Sequence, residues 1–447
     1  MSEVTLAQVL EARDKRASQQ RLLLHTYHCP LISFTMNIAG PVKISPLIER
    51  AFTVGLRELD CNLPNHLIRH RSTHMDLTGC QAMYAVDLDA MALKKICTAL
   101  EDQSPLGRLF DMDVITTDGE KLDRSAVAGH SRNCIVCGAA GRVCAARRLH
   151  TVPQLQSATR SIMEAHFLAA DPEHIAVLAA ESLVEEVSTT PKPGLVDRRN
   201  TGSHSDMDLS TFLASANALK PYFRKCVTIG IQTSHLTPPE TFPLLRQAGV
   251  SAEAAMYRAT GGVNTHKGAI YTIGILCAGL GRLWLPEAPI PNIRALLELC
   301  GQMAAPYAAS DFASTDGSTH GQRLYLEQGL TGIRGEMAAG LPSVSQIGLP
   351  AYEKALCAGL SSNHAGAVTL LHLIANVSDT NLYHRGGPEG AGFAAHMARS
   401  LLDSSTFPTL QEIEALDDAF IARNLSPGGC ADLLAVTYFL HALKTFV

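Results

Sequence analysis

Ile32-Ser33-Phe34-Thr35-Met36-Asn37-Ile38 alternates apolar and polar side chains without a break. A period of two puts Ile32, Phe34, Met36 and Ile38 on one face and the polar residues on the other, the pattern of a half-buried strand. Pro41 ends it. Further along, the period changes and changes back. Residues 46–59 (PLIERAFTVGLREL) have helical spacing, 80–87 (CQAMYAVD) a strand pattern, 89–102 (DAMALKKICTALED) a helix and 108–116 (RLFDMDVIT) a strand. This alternation predicts a mixed α/β domain.

Past residue 150 the strand pattern fades. Ala- and Leu-rich helical patterns follow at 174–187, 208–223, 240–258, 268–284, 292–305, 363–376, 408–422 and 430–446, broken by Gly- and Pro-rich loops. They predict an all-α helical bundle with its polar motifs in loops and at helix ends. The join is expected near 150–172, where Pro153 and Ala169-Ala170-Asp171-Pro172 punctuate a polar stretch, giving domains at 1–160 and 170–447. A chain of 447 residues has the length for two or three domains.

Composition narrows the function classes. Hydrophobic residues are 46% and charged residues 18% of the chain, which sets it apart from disordered proteins. Residues 1–150 hold 18 Lys and Arg against 16 Asp and Glu, and residues 151–447 hold 19 against 26, so neither part has the basic excess of a general nucleic-acid binder. The apolar run Ala269 to Gly281 is shorter than the ~20 residues a bilayer needs. The charged N-terminus lacks the apolar core of a signal peptide. The 12 Cys are sparse for the chain length and read as reduced thiols, so a cytoplasmic location is expected.

Asp111-Met112-Asp113 is the densest chemistry of the first part. On a strand the two carboxylates share a face while Phe110, Met112 and Val114 turn to the core. Such a pair can hold Mg²⁺ on a substrate phosphate, as phosphoryl-transfer enzymes do, or can simply be a solvated strand end. Asp87 and Asp89 have the same spacing, but Asp89 stands where a helix cap is wanted. A second cluster is Cys134, Cys137 and Cys144, with His150 or His130 as a fourth ligand for tetrahedral zinc. Free thiols beside solvated arginines are the other reading.

In the second part, a segment from Glu185 to Asp208 is followed by Gly261 to Gly268, Arg334-Gly335-Glu336 and Asp379 to Gly387. All are expected as loops. The glycine-rich stretch precedes a helix whose N-terminus suits an anion, with Lys267 as a point charge. Lys192, Arg198, Arg334 and Arg385 can add phosphate contacts, and Asp206, Asp208 and Asp379 can hold Mg²⁺ or act as a base. Helix capping is the competing explanation for each motif taken alone.

Pro30 to Lys43, Leu106 to Ile115 and Cys134 to His150 resemble the apo-citrate lyase phosphoribosyl-dephospho-CoA transferase family. The later motifs resemble triphosphoribosyl-dephospho-CoA synthase, so the chain looks like a fusion of the two. The resemblance implies a nucleotidyltransferase-like first domain and two steps. The C-terminal domain would join ATP to 3'-dephospho-CoA and release adenine. The N-terminal domain would pass the product, through its α-phosphorus, to a serine of the apo acyl carrier protein and release pyrophosphate. Asp111 and Asp113 would then hold Mg²⁺, with Arg108 neutralising charge. Asp206 or Asp379 would serve the glycosidic step, Asp206 and Asp208 a second Mg²⁺. Lys192, Lys267 and Arg385 would grip the triphosphate, within a binding set that includes Arg198, His204, Asn264, His266, Arg334 and Asn381. An ADP-ribosyl-type glycohydrolase beside a zinc-stabilised docking module for the acyl carrier protein is the alternative.

Overall fold

The alternation at Ile32 forms β1 (Leu31–Met36), one of the two inner strands of a four-stranded antiparallel sheet. The computed structural model describes residues 3–127 and 132–446. It divides into two compact units, Met1–Ala170 with Pro286–Ala288, and Asp171–Leu285 with Pro289–Val447.

In the first unit, α1 (Leu6–Tyr27) precedes β1, and α2 (Pro46–Asn62), β2 (Ile68–Asp76), β3 (Gly79–Val86), α3 (Ala90–Asp102), β4 (Phe110–Ile115) and α4 (Gly141–Arg147) follow. The sheet order is β2-β3-β1-β4. Phe34 of β1 stacks on Phe52 of α2 at 4.7 Å and meets Phe110 of β4 edge-on at 5.4 Å, so α2 packs on the apolar face. Asp89 caps α3, accepting from the Ala92 amide at 2.9 Å.

Two elements escape the apolar pattern. Helix α1 has only Leu23 buried, in a small cluster with Leu31, Met83 and Ala85; elsewhere along the same face Gln20 reaches Ser33 (3.0 Å) and Arg16 reaches Gln81 (3.1 Å). A helix that meets polar side chains needs no apolar stripe. Strand β2, with the sequence IRHRSTHMD, is the exposed edge, and charged residues are how edge strands resist further pairing.

Helix α5 (Val152–Ser188) is continuous where punctuation was expected, and it contains Pro172. The second unit is all-helical: α6 (Leu209–Gln232), α7 (Pro238–Ala259), α8 (Lys267–Leu283), α9 (Ile293–Ala313), α10 (His320–Gln328), α11 (Gly332–Ala338), α12 (Leu349–Cys357), α13 (Ser362–Asn376), α14 (Thr380–Ser404), α15 (Leu410–Ala422) and α16 (Gly428–Leu443). The apolar run Ala269 to Gly281 is buried in α8, with Tyr271 partly so. Helices α6 and α8 cross almost backbone to backbone. A Cβ on Gly230 would lie 2.1 Å from the Ala278 carbonyl oxygen, and one on Gly281 equally close to that of Val227. Among the described residues no helix is long and apolar enough to cross a membrane.

The loop expected at Asp379 to Gly387 is helical instead. Asp379 is the N-cap of α14, and the backbone kinks at Gly387 (φ 61°) before resuming, so Gly386-Gly387-Pro388 bends the helix without ending it. Helices α10, α11 and α12 are too short, at 9, 7 and 9 residues, to show a period.

Candidate active sites

In the second unit, the segment between α5 and α6 folds around two carboxylates. Asp197 accepts from the amides of Lys192 (2.9 Å), Arg199 (2.7 Å) and Asn200 (3.0 Å). Asp417 of α15 accepts from the Gly194 amide, the Arg199 guanidinium and the Asn200 side chain, each at 2.8 Å. The resulting turn drives Lys192 inward, 1% exposed, where its ammonium pairs with Glu186 of α5. Burial raises the Glu186 carboxyl and the lysine opposes that shift.

Lys192 and Glu186 line a cavity of about 1000 Å³. One wall is the N-terminus of α8. His266 is 3% exposed, and burial together with the charge of Lys192 pushes it down to about 3, so it is neutral at working pH. Thr265 Oγ1 donates to Ser215 Oγ (2.8 Å), and Ser215 Oγ meets His266 Nδ1 (2.7 Å). The buried Nε2 has no hydrogen-bond partner among the described residues. Lys267 pairs with Glu253 at 3.0 Å, and its amide donates to Asn264 Oδ1 at 3.3 Å.

Asp432 of α16 faces this helix end and accepts from the Ala269 amide. Its carboxyl is pushed up to about 8, first by burial and then by Glu186 and Asp379. Gly268 makes the approach possible, since a Cβ there would sit 1.8 Å from Asp432 Oδ2. Asp379, which is buried and likewise raised, is fixed by the amides of Asn381 (2.7 Å), Leu382 (3.2 Å) and Cys430 (2.7 Å). Opposite, Arg385 donates to the Ser203 carbonyl (2.8 Å), to Asn424 Oδ1 (2.9 Å) and to His204 Nδ1 (3.1 Å). The accepting Nδ1 leaves the proton on Nε2, which donates to Ser426 Oγ at 2.9 Å.

The cavity thus gathers Lys192, His204, Asn264, His266, Lys267, Asp379, Asn381 and Arg385 from the sequence-derived set. Four others lie outside its lining. Asp208 is the exposed N-cap of α6, held down to about 2 by Ser210 and Thr211. Asp206 and Arg198 are exposed, and Arg334 pairs with Asp311 at 3.2 Å. The sequence reading passed over Asp432 and gave Glu186, inside the segment from Glu185 to Asp208, no role. Asp432 did leave a signal, as the single acid in the apolar stretch from Cys430 to Leu443 after a Gly-Gly pair.

The first unit has its own cavity, of about 970 Å³. Asp111 and Asp113 reach it from β4, between the buried Phe110, Met112 and Val114. Burial and then Asp113 raise the Asp111 carboxyl, while Asp113 pairs with Lys121 at 2.5 Å. Arg108 enters from a 3₁₀ turn at Leu106–Leu109 and donates to the Asn133 carbonyl; burial and the neighbouring Arg132 and Arg124 lower it. Lys94 and Glu101 of α3, both buried, also line the site. Glu101 accepts from the Met112 amide (2.8 Å) and pairs with Arg132. Pattern reading missed Lys94, Glu101, Arg124 and Arg132, because only the fold brings them to Asp111. Cys134, Cys144 and His150 border the same cavity, with Cys137 next to them; His130 lies outside the described residues.

A cavity with paired strand carboxylates under cations suits transfer of a phosphorylated group, and one with a protonated acid beside a helix N-terminus suits a reaction on an anionic substrate. Comparison with known proteins agrees with both. Residues 172–446 match the family described as ATP:dephospho-CoA triphosphoribosyl transferase, and residues 4–166 match apo-citrate lyase phosphoribosyl-dephospho-CoA transferase. The chain is 35% identical to protein CitXG of Haemophilus influenzae, over 99% of this chain and 97% of that protein. It is 30% identical to protein CitXG of Leuconostoc mesenteroides subsp. cremoris, over 98% and 97%. Over 60% of this chain and 88% of the relative, it is 42% identical to the 2-(5''-triphosphoribosyl)-3'-dephosphocoenzyme-A synthase of Pectobacterium atrosepticum. The molecule is therefore a bifunctional transferase of citrate lyase prosthetic-group synthesis. It belongs to the CitXG family, in which the phosphoribosyl-dephospho-CoA transferase part precedes the triphosphoribosyl transferase part.

Proposed function

We propose that the C-terminal cavity joins ATP to 3'-dephospho-CoA with loss of adenine. The N-terminal cavity then transfers the product to a serine hydroxyl of the apo acyl carrier protein of citrate lyase, with loss of pyrophosphate. Residues 170–447 carry the first step on this reading and 1–160 the second. What supports it most is that each unit's cavity holds the acids and cations that one step needs.

In the first step, the 2'-hydroxyl of dephospho-CoA displaces adenine from C1 of the ATP ribose. The glycosidic bond breaks through an oxocarbenium-like transition state, and the departing base needs a proton. Asp432, protonated at neutral pH, is the donor we favour; of the two residues expected in the carboxylate role, Asp206 is exposed and Asp379 has its oxygens occupied by three amides. The α8 N-terminus with Lys267 and Asn264 takes the triphosphate, and the neutral His266 offers Nε2 to the substrate.

In the second step, Asp111 and Asp113 fit Mg²⁺: two carboxylates on one strand face, in a cavity whose lining also brings Lys94, Arg108, Lys121, Arg124 and Arg132. The ion, when bound, would draw charge from the phosphates. Arg108, Arg132 and Lys94 neutralise the triphosphate around the α-phosphorus, and the sheet that presents the pair acts in a nucleotidyltransferase-like way.

The test follows adenine and pyrophosphate separately in full-length protein given ATP, dephospho-CoA, Mg²⁺ and apo acyl carrier protein. Adenine is expected to require dephospho-CoA, and pyrophosphate to require both dephospho-CoA and the carrier. Adenine released with water alone as acceptor would return the C-terminal unit to the glycohydrolase reading.

A further inference from the structure

The segment from Arg132 to Thr151 folds with almost no apolar core. Within α4 only Cys144 is buried, while Val136, Val143 and Leu149 are 37%, 46% and 56% exposed. Hydrophobic burial therefore does not account for its order. Four side chains converge there instead. One sulfur each from Cys134, Cys137 and Cys144 and a ring nitrogen of His150 all lie within 4.8 Å of one another.

The separations match one small ion. Tetrahedral zinc, with Zn–S of about 2.3 Å and Zn–N of about 2.0 Å, spaces its ligand atoms about 3.3–3.8 Å apart. Cys137 and Cys144 sulfurs are 3.5 Å apart, and His150 Nε2 is 3.3 Å from Cys137 Sγ. All three cysteines are free thiols. A disulfide between any two would leave the third thiol and the imidazole without a purpose for their approach.

The backbone is shaped for the same end. The Cys134 amide donates to the Ala139 carbonyl (2.7 Å), and the Gly138 amide donates to the Cys134 carbonyl (2.9 Å). Gly138 takes the left-handed φ of 72° that closes this turn. The Val136 amide points at Cys134 Sγ from 3.5 Å, a donor placed for a thiolate. Cys144 comes from α4 and His150 from the chain just beyond it.

We infer that Cys134, Cys137, Cys144 and His150 form a closed structural site for Zn²⁺, and that the ion fixes the segment carrying the cationic wall of the N-terminal cavity. The mechanical link is short. Arg132 and Asn133 directly precede Cys134. Arg132 pairs with Glu101, and the Asn133 carbonyl receives Arg108. Four protein ligands leave no open position, so the ion shapes the site without touching substrate.

The test uses the full-length protein purified under reducing conditions from zinc-supplemented cells. Elemental analysis should find one zinc per chain, retained through dialysis against a weak chelator. The same stoichiometry is expected for Asp111→Asn, and close to none for Cys137→Ser. Replacing zinc with cobalt should give the intense visible and thiolate charge-transfer bands of a tetrahedral thiolate site, which keeps the test decisive if Cys137→Ser is insoluble. Stripping the metal should slow pyrophosphate release and leave adenine release unchanged. Wild-type protein without zinc, zinc undiminished in Cys137→Ser, iron in place of zinc, or a weak octahedral cobalt spectrum would each overturn the assignment.

Discussion

The two cavities gather their acids by opposite means. In the N-terminal unit, Asp111 and Asp113 are neighbours on one strand, and the fold brings cations to them: Lys121 to Asp113, and Arg108, Arg132 and Lys94 around the cavity. In the C-terminal unit, Glu186, Asp379 and Asp432 come from α5, the α14 cap and α16; Glu186 pairs with Lys192, whereas Asp379 and Asp432 accept from amides at helix N-termini. In the N-terminal cavity cations oppose the burial that raises Asp111, whereas in the C-terminal cavity burial among other acids keeps one of them protonated. The first arrangement suits a phosphate-bound metal, the second a proton donor.

The sharpest way to break this contrast is to remove one acid from each cavity and read both products. Asp111→Asn should lower pyrophosphate release roughly 10³-fold or more and leave adenine release unchanged. Asp432→Asn should lower adenine release by about 10²- to 10³-fold. It should leave pyrophosphate release intact when preformed triphosphoribosyl-dephospho-CoA is supplied. Loss of both products in either variant would mean that the acids do not divide the chemistry between the units.

pH sharpens the same contrast. If protonated Asp432 is the donor, the first step needs the form present below about 8, so adenine release should fall as pH rises through that value. The profile is measured in single turnover with saturating substrates. A rate that climbs through the same range would assign Asp432 the role of base.

A smaller effect tests the close approach at α8. Gly268→Ala would put a methyl group 1.8 Å from Asp432 Oδ2, so either the carboxyl or the first turn of α8 must move. A displacement of that size should cost adenine release roughly 10- to 100-fold and should spare pyrophosphate release. Serine at the same position should do no better, since the collision is with Cβ.

The contrast also explains what the sequence revealed. A strand puts residues i and i+2 together, so Asp111 and Asp113 could be paired by counting, and Ile32 to Ile38 declared its own strand. Helix ends offer no such rule. Asp432 and Gly268 are far apart in sequence yet so close that a Cβ on Gly268 would meet Asp432 Oδ2, and Asp379 looked like a loop acid because a Gly-Gly-Pro run followed it. The polar helix α1 and the charged edge β2 were silent for a different reason. Each faces mostly polar partners or solvent, with one small apolar contact at the end of α1, so neither carries the apolar period from which elements are read.

The smallest effect concerns stability, where the two cavities should respond with opposite signs. A carboxyl that ordinarily ionises near 3.8 but is held at about 8 in the folded chain binds its proton more tightly there than in the unfolded chain. Between those values the folded state holds more protons, so stability falls as pH rises across the window. Asn does not titrate and keeps an oxygen for the Ala269 amide. Asp432→Asn should therefore match the wild type below pH 4 and exceed it at pH 8, by on the order of 2 kcal/mol once water in the cavity is allowed for. Lys121→Ala, which strips an exposed partner from Asp113, should instead lower stability by about 0–1 kcal/mol. Thermal melts of both variants at pH 4 and pH 8 measure the pair. An Asp432→Asn variant that is less stable at pH 8 than at pH 4, relative to the wild type, would show that this cavity acid is ionised in the fold and that its proton is not available to the departing base.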